Sequence, residues 1–288
     1  MKGGKKLSLR TDLAIELGGG DKTELAGVKK EYKEDGEIKI TTVKVTSAKG
    51  ERAIGKAIGR YITVEFPPVY KINDYSALKA AVVNSLKILL GEDKENLLIA
   101  GLGNTEITPD AVGPLTAKKI LATRHISGQF AESIGLKGLK SVSVISPGVL
   151  GQTGIETSEL IKGAAGAVKP DAVIVIDALA ARSAERLFRT VQLCDTGISP
   201  GSGVKNARRE ISEKTIGVPV TAIGVPTVTD ADSLAFELTG KESLKECDMF
   251  VTPKEADLLC DRISDILASA LNLFLQPEID EDIISQLV

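Results

Sequence analysis

The feature that most narrows what this chain can fold into is a series of short, unbroken apolar stretches, each closed by turn residues and followed by helical spacing. Residues 96–100 end in Gly101-Leu102-Gly103-Asn104 and residues 172–176 end at Asp177, and further strands are expected at residues 141–145, 190–193 and 218–223. Residues 76–90, 108–122 and 158–168 carry helical apolar spacing; a further helix starts near Asp230 and an amphipathic one spans 253–275. Strands that are apolar along their whole length are buried on both faces. With helices between them they form a mostly parallel sheet flanked by helices, so the expected class is α/β. Ligands of such sheets gather at the carboxyl ends of the strands. That rule points to the loops after Ala100, Ile145, Ile176 and Ile223.

Ahead of this core, residues 36–67 form a β-rich insertion. Residues 38–45 alternate apolar and polar side chains, residues 61–66 do so again, and Gly50-Glu51-Arg52 between them reads as a turn, which predicts a hairpin-like pair. The first forty residues read as an extended, poorly packed entry punctuated by Gly18-Gly19-Gly20. In the 108–122 helix, Thr108 suits the N-cap and Pro109 the first turn. Pro114 removes the helical bond to Asp110, so a kink or restart is expected there.

Bulk properties exclude several functions. Lys and Arg total 36 against 39 Asp and Glu, which does not make a polyanion binder, so no direct nucleic-acid partner is expected. Aromatic residues are 3% and Trp is absent, which disfavours a base-stacking platform. Cys194, Cys247 and Cys260 form no CxxC pair and suit reduced thiols of a cytoplasmic chain. No apolar run approaches the ~18 residues of a membrane span, so no membrane partner is expected.

Two carboxylates stand where ligands should bind. Asp110 opens the helix after the Gly101-Leu102-Gly103-Asn104 loop, and Asp177 terminates an apolar strand. Two acids in opposite protonation states can hydrolyse a peptide bond, one activating water and the other donating a proton. At roughly 4 Å and an effective dielectric near 20, their charges would repel by ~4 kcal/mol. A helix dipole favours ionised Asp110 by at most about 2 kcal/mol. The pair is therefore expected to titrate together, with Asp110 charged and Asp177 holding the proton. Taken singly, Asp110 is accounted for by the helix dipole and Asp177 by a strand-end turn.

Other motifs are weaker. Asp195-Thr196-Gly197 matches a short aspartic-protease triplet, but it lies in a turn-rich stretch and reads as a binding or structural loop. Neither the loop at Gly101 nor residues 55–60 has the spacing of a nucleotide-binding glycine motif. His125 is the sole histidine, so a His-rich metal site is excluded while an Asp/Glu-ligated metal is not. Ser146, Ser202 and the cysteines lack the context of a nucleophile.

Several long segments, in order, resemble the germination protease family of spore-forming bacteria. They include residues 10–16, Thr108-Pro109-Asp110-Ala111-Val112-Gly113-Pro114 and residues 147–157. Residues 176–183, 195–203, 222–228 and 251–255 complete the set. The resemblance implies a fold related to hydrogenase maturation proteases and a homotetramer. It implies an endopeptidase of the spore core that degrades small acid-soluble spore proteins, with Asp110 and Asp177 as the catalytic pair. The related maturation proteases bind a metal with a histidine's help. No comparable histidine motif occurs in this chain, which favours a metal-free aspartic mechanism without cofactor. The family cuts its substrates between an acid and a large apolar residue. Thr11-Asp12-Leu13-Ala14 has that form, which implies a zymogen whose propeptide, residues 1–12, is released by cleavage between Asp12 and Leu13. Residues 13–288 would then be one peptidase domain. A metal-dependent peptidase on the same fold and a non-enzymatic binding scaffold remain as alternatives.

Overall fold

The computed structural model describes residues 11–17, 25–126, 138–204, 208–241 and 247–288. The basic leader at residues 1–10 and the Gly18-Gly19-Gly20 punctuation lie outside the described residues. One mixed sheet organises the molecule. Its strands are β1 (Val28–Asp35), β2 (Ile38–Val45), β3 (Gly59–Glu65), β4 (Asn96–Gly101), β5 (Ser141–Ile145), β6 (Ala172–Ala180), β7 (Thr190–Cys194), β8 (Val220–Asp230) and β9 (Phe250–Val251). The order is β1-β2-β3-β7-β8-β6-β4-β5, with the short β9 paired to β8.

The α/β class expected from the apolar runs is the one observed. Parallel pairing is confined to β5, β4, β6 and β8, strands that carry those runs. The expected pairing of residues 38–45 with 61–66 is observed, β2 lying antiparallel to β3, and the pair continues the main sheet through antiparallel β7. Gly50-Glu51-Arg52 is not a turn but part of a helix spanning Ala48–Ile54. Ser47 caps that helix through its side chain and Gly55 ends it in the left-handed conformation, two local signals that outweigh a single glycine. Sequence reading also missed β1, an almost wholly exposed edge strand whose run of charged residues hides any alternation.

The helices are α1 (Ala14–Leu17), α2 (Ala48–Ile54), α3 (Ser76–Leu90), α4 (Val112–Lys118), α5 (Leu150–Thr153), α6 (Thr157–Val168), α7 (Glu213–Ile216), α8 (Ala231–Thr239), α9 (Ala256–Leu275) and α10 (Glu281–Leu287). One face of the sheet buries Ile99, Ile174, Ile176 and Ile223 under α3 and α9. Leu78, Val82 and Leu86 supply the apolar stripe of α3, and Ile263, Leu267 and Leu271 that of α9. The other face buries Leu98, Ala100, Val173 and Val175 with Ile161 and Ala165 of α6 and Ile54 of α2. Alternate residues of β4 and β6 thus feed two cores, which is why those strands read as continuous apolar runs.

Candidate active site

The turn between β4 and α4 is where the chain first departs from regular structure. Helical spacing from residue 108 with Pro114 inside it predicts a kink or restart, and a restart is what occurs. A single 3-10 turn, Thr108–Asp110, precedes it, so that Pro114 falls in the first turn of α4, where its missing N–H has no helical partner to lose. Glycines let this turn press against the sheet. A Cβ at Gly113 would stand 2.1 Å from the Leu102 carbonyl and 2.5 Å from that of Ile176, and one at Gly103 would stand 2.0 Å from the Asp110 carbonyl. The Leu102 N–H donates to the Ile176 carbonyl at 2.8 Å. The turn that carries Asp110 is thereby held against Ile176, the strand residue that precedes Asp177.

The sequence placed Asp177 at the end of its strand, but β6 continues to Ala180. Between Leu179 and Ala180 the pairing with β8 shifts, so that Thr227 is the extra residue of a bulge. The Thr227 hydroxyl donates to the Pro109 carbonyl at 2.6 Å, and the Cys260 thiol donates to the Thr108 carbonyl at 3.0 Å. The bulge on β8 and helix α9 therefore both fix the turn that carries Asp110. Cys260 has a positional role rather than a nucleophilic one, and burial pushes its thiol up to about 12.

The two aspartates are electrostatically coupled. Asp177 is only 5% exposed. Burial raises its carboxyl well above the usual range, and the neighbouring charges of Asp110 and Asp12 raise it further, against a smaller opposing effect of the Ala178 N–H. Burial pushes Asp110 up to about 6, partly offset by the Asn104 backbone N–H. A charge on Asp110 makes ionisation of Asp177 harder.

Asp12 and Leu13 lie beside this pair. Asp12 donates its N–H to the Ala180 carbonyl at 2.9 Å. Its carboxylate accepts from the Ala180 N–H at 2.9 Å and from the Ser202 hydroxyl at 2.7 Å. Leu13 is fully buried. Downstream, Glu16 anchors the segment: it accepts from the Thr11 hydroxyl, from the Arg182 N–H at 2.8 Å and the Ser183 N–H at 3.1 Å, and pairs with Arg186 at 3.2 Å.

Gln192 of β7 is the site residue that sequence reading missed. It stands opposite Gly224 of β8, and Gly224 stands opposite Asp177 of β6, so Gln192 and Asp177 flank a glycine in one row across the sheet. Residues aligned in this way share a face, and strands lie about 4.8 Å apart, so roughly 10 Å separates the two backbones over a floor formed by Gly224 and the Leu179 side chain packed on it. A cavity of about 470 Å³ opens beside Asp12 along this floor, lined by Gln192, Gly224, Thr196, Ser202 and Gly203. Neither Asp110 nor Asp177 lines it, so the cavity adjoins the carboxyl pair rather than containing it. One signal for Gln192 was present: it is the polar interruption of an otherwise apolar buried strand.

The Asp195-Thr196-Gly197 loop is a brace. Asp195 accepts from the Arg60 N–H at 2.7 Å, Thr196 donates to the Tyr61 hydroxyl at 3.1 Å, and Gly197 packs where a Cβ would meet the Ile211 carbonyl at 2.1 Å. His125 is exposed in a turn that follows the residues bonded to Val142 of β5. Among the described residues, no group of three or more His, Cys, Asp or Glu side chains is arranged to hold a metal ion. No helix among them is long and apolar enough to cross a membrane.

An α/β sheet carries two coupled carboxyls, with the short segment that leads into α1 held near them. Similarity to known proteins gives the class. The germination protease family model matches residues 11–239. A germination protease of Clostridium tetani is 42% identical over 98% of this chain and 100% of its own. That of Caldanaerobacter subterraneus subsp. tengcongensis is 42% identical over 98% of this chain and 98% of its own. The Bacillus velezensis protein is 44% identical over 79% of this chain and 65% of its own. The chain belongs to the germination protease family and is a spore-germination endopeptidase. Among solved structures, a [NiFe] hydrogenase maturation protease HycI from Thermococcus kodakarensis KOD1 overlaps 65% of this chain and 98% of its own, at 19% identity and a TM-score of 0.37. That overlap is too shallow to carry an argument.

Proposed function

We propose that this endopeptidase is made as a zymogen, removes residues 1–12 by cutting between Asp12 and Leu13, and then degrades small acid-soluble spore proteins with Asp110 and Asp177 as its catalytic pair. What supports this reading is the electrostatic coupling of buried Asp177 to both Asp110 and Asp12. Ionised Asp110 takes a proton from water as the water oxygen bonds to the carbonyl carbon. Protonated Asp177 gives its proton to the amide nitrogen as the carbon–nitrogen bond breaks. The products are a carboxylic acid and an amine, and the pair exchanges protons with solvent to reset. Residues 13–288 act as one peptidase domain, working in the cytoplasm of the spore core as a homotetramer.

The test is Asp110→Asn and Asp177→Asn in the full chain, incubated with a small acid-soluble spore protein and followed by mass mapping of the ends. Each substitution is expected to abolish both substrate cleavage and release of residues 1–12 while far-ultraviolet circular dichroism stays native. Full cleavage by either variant rejects the pair.

A further inference from the structure

Several groups that the proposed chemistry does not use converge on Asp12. Beside the Ala180 N–H and the Ser202 hydroxyl on its carboxylate, the carboxamide of Gln192 spans the following peptide bond. Its Nε2 donates to the Asp12 carbonyl at 3.1 Å, and its Oε1 accepts from the Ala14 N–H at 2.7 Å. A carboxamide that meets a carbonyl on one side and an N–H on the other is fixed in orientation by both. Gly203 closes the far wall, since a Cβ there would stand 2.2 Å from Asp12 Oδ2.

We propose that this is the enzyme's specificity pocket: Ala180, Ser202 and Gly203 read an acidic side chain on the residue before the cut bond, while Gln192 grips the main chain on both sides of that bond. The inference rests on the reading of Asp12–Leu13 as a cleaved bond, and it names the groups that select the substrate. The substrate presents the acid–apolar pair that Asp12 and Leu13 offer here, with Asp12 bonded to Ala180 and Leu13 leading into α1. Ionised oxygens accept from both the backbone N–H and the hydroxyl. A carboxamide in the same place turns an NH2 group toward one of those donors. The adjoining cavity leaves room for the longer Glu side chain. Leu13, with no exposed surface, marks the apolar environment that receives the next residue. The Gln192 N–H on the carbonyl oxygen also favours the negative charge that grows there during attack.

The test uses the full chain and two readouts. The first is the rate of release of residues 1–12 in Asp12→Asn, Ser202→Ala and the double variant. Each single change is expected to slow release about tenfold, the loss of one hydrogen bond to a charged group. The double variant is expected to be no slower than the slower single, because both changes remove the same contact. The second readout is kcat/KM for a peptide of residues 8–17 against its Asp12→Asn form. The wild-type preference for the acid is expected to be at least about tenfold and to fall toward one in Ser202→Ala and Gly203→Ala. Losses that multiply in the double variant, or an unchanged preference in a Ser202→Ala chain that still cleaves, overturn the pocket. Cleavage by Asp110→Asn with the wild-type preference would reject the catalytic pair and leave the pocket standing. Cleavage that never falls after Asp12 would reject both.

Discussion

At the residue scale, the unequal settings of Asp110 and Asp177 make a statement about pH. Asp110 titrates at about 6, while burial and the neighbouring charges of Asp110 and Asp12 raise Asp177 well above the ordinary carboxylate range. Below about 6 the base is lost, so kcat/KM on a peptide substrate is expected to fall about tenfold per pH unit on the acid side. A pH profile that is flat between 4 and 7 on scales of about one order of magnitude would remove Asp110 as the base. Stability runs the other way. Both carboxyls titrate above their unfolded value of about 3.9, so their contribution to folding is complete below that pH and is lost as pH rises through the folded values. The pH range in which the pair works is therefore the range in which it strains the fold, as expected of a functional site. The positions of both acids were legible in the sequence, because each follows an apolar run in an α/β pattern. Their coupling was expected from charge repulsion alone, whereas the glycine contacts that hold the Asp110 turn to β6 were not legible. Ser202 and the Ala180 N–H were invisible for a similar reason: a hydroxyl in a turn-rich loop and a backbone donor freed by a bulge carry no sequence mark of their own.

At the scale of elements, the turn from β4 to α4 is the part with the least tolerance. Gly113 lies between two carbonyls, Leu102 and Ile176, both closer than a Cβ allows. Neither is the tip of a flexible side chain, so Gly113→Ala must lift the turn from β6. We expect a loss of about 1–3 kcal/mol in denaturant unfolding, the usual size of an overpacking cost. Cleavage should fall further than stability alone explains, because Asp110 moves with the turn. Wild-type activity in a folded Gly113→Ala chain would show that Asp110 need not sit against β6. The sequence marked this turn through its glycines and through Pro114, and the expected restart occurs. What it could not show is the pairing of β3 with β7, where residues far apart in sequence meet and local pattern carries no record of the partner.

At the scale of the whole molecule, the antiparallel strands β2 and β3 bring β7, and with it Gln192, into line with the parallel strands that hold Asp177. The site therefore draws on both halves of the sheet. The proposed homotetramer has a direct check: sedimentation at micromolar concentration should give about four times the chain mass of 30.4 kDa, and a species of 30.4 kDa at all concentrations would reject it. A last consequence follows from the way Glu16 is pinned to Arg182, Ser183 and Arg186. With the bond after Asp12 cut as proposed, the stub that begins at Leu13 would stay tied to the enzyme by its own backbone. A tethered segment of that kind acts as a resident competitor at an effective concentration of roughly millimolar. An incoming protein must displace it, so turnover would depend on how often that short arm lets go.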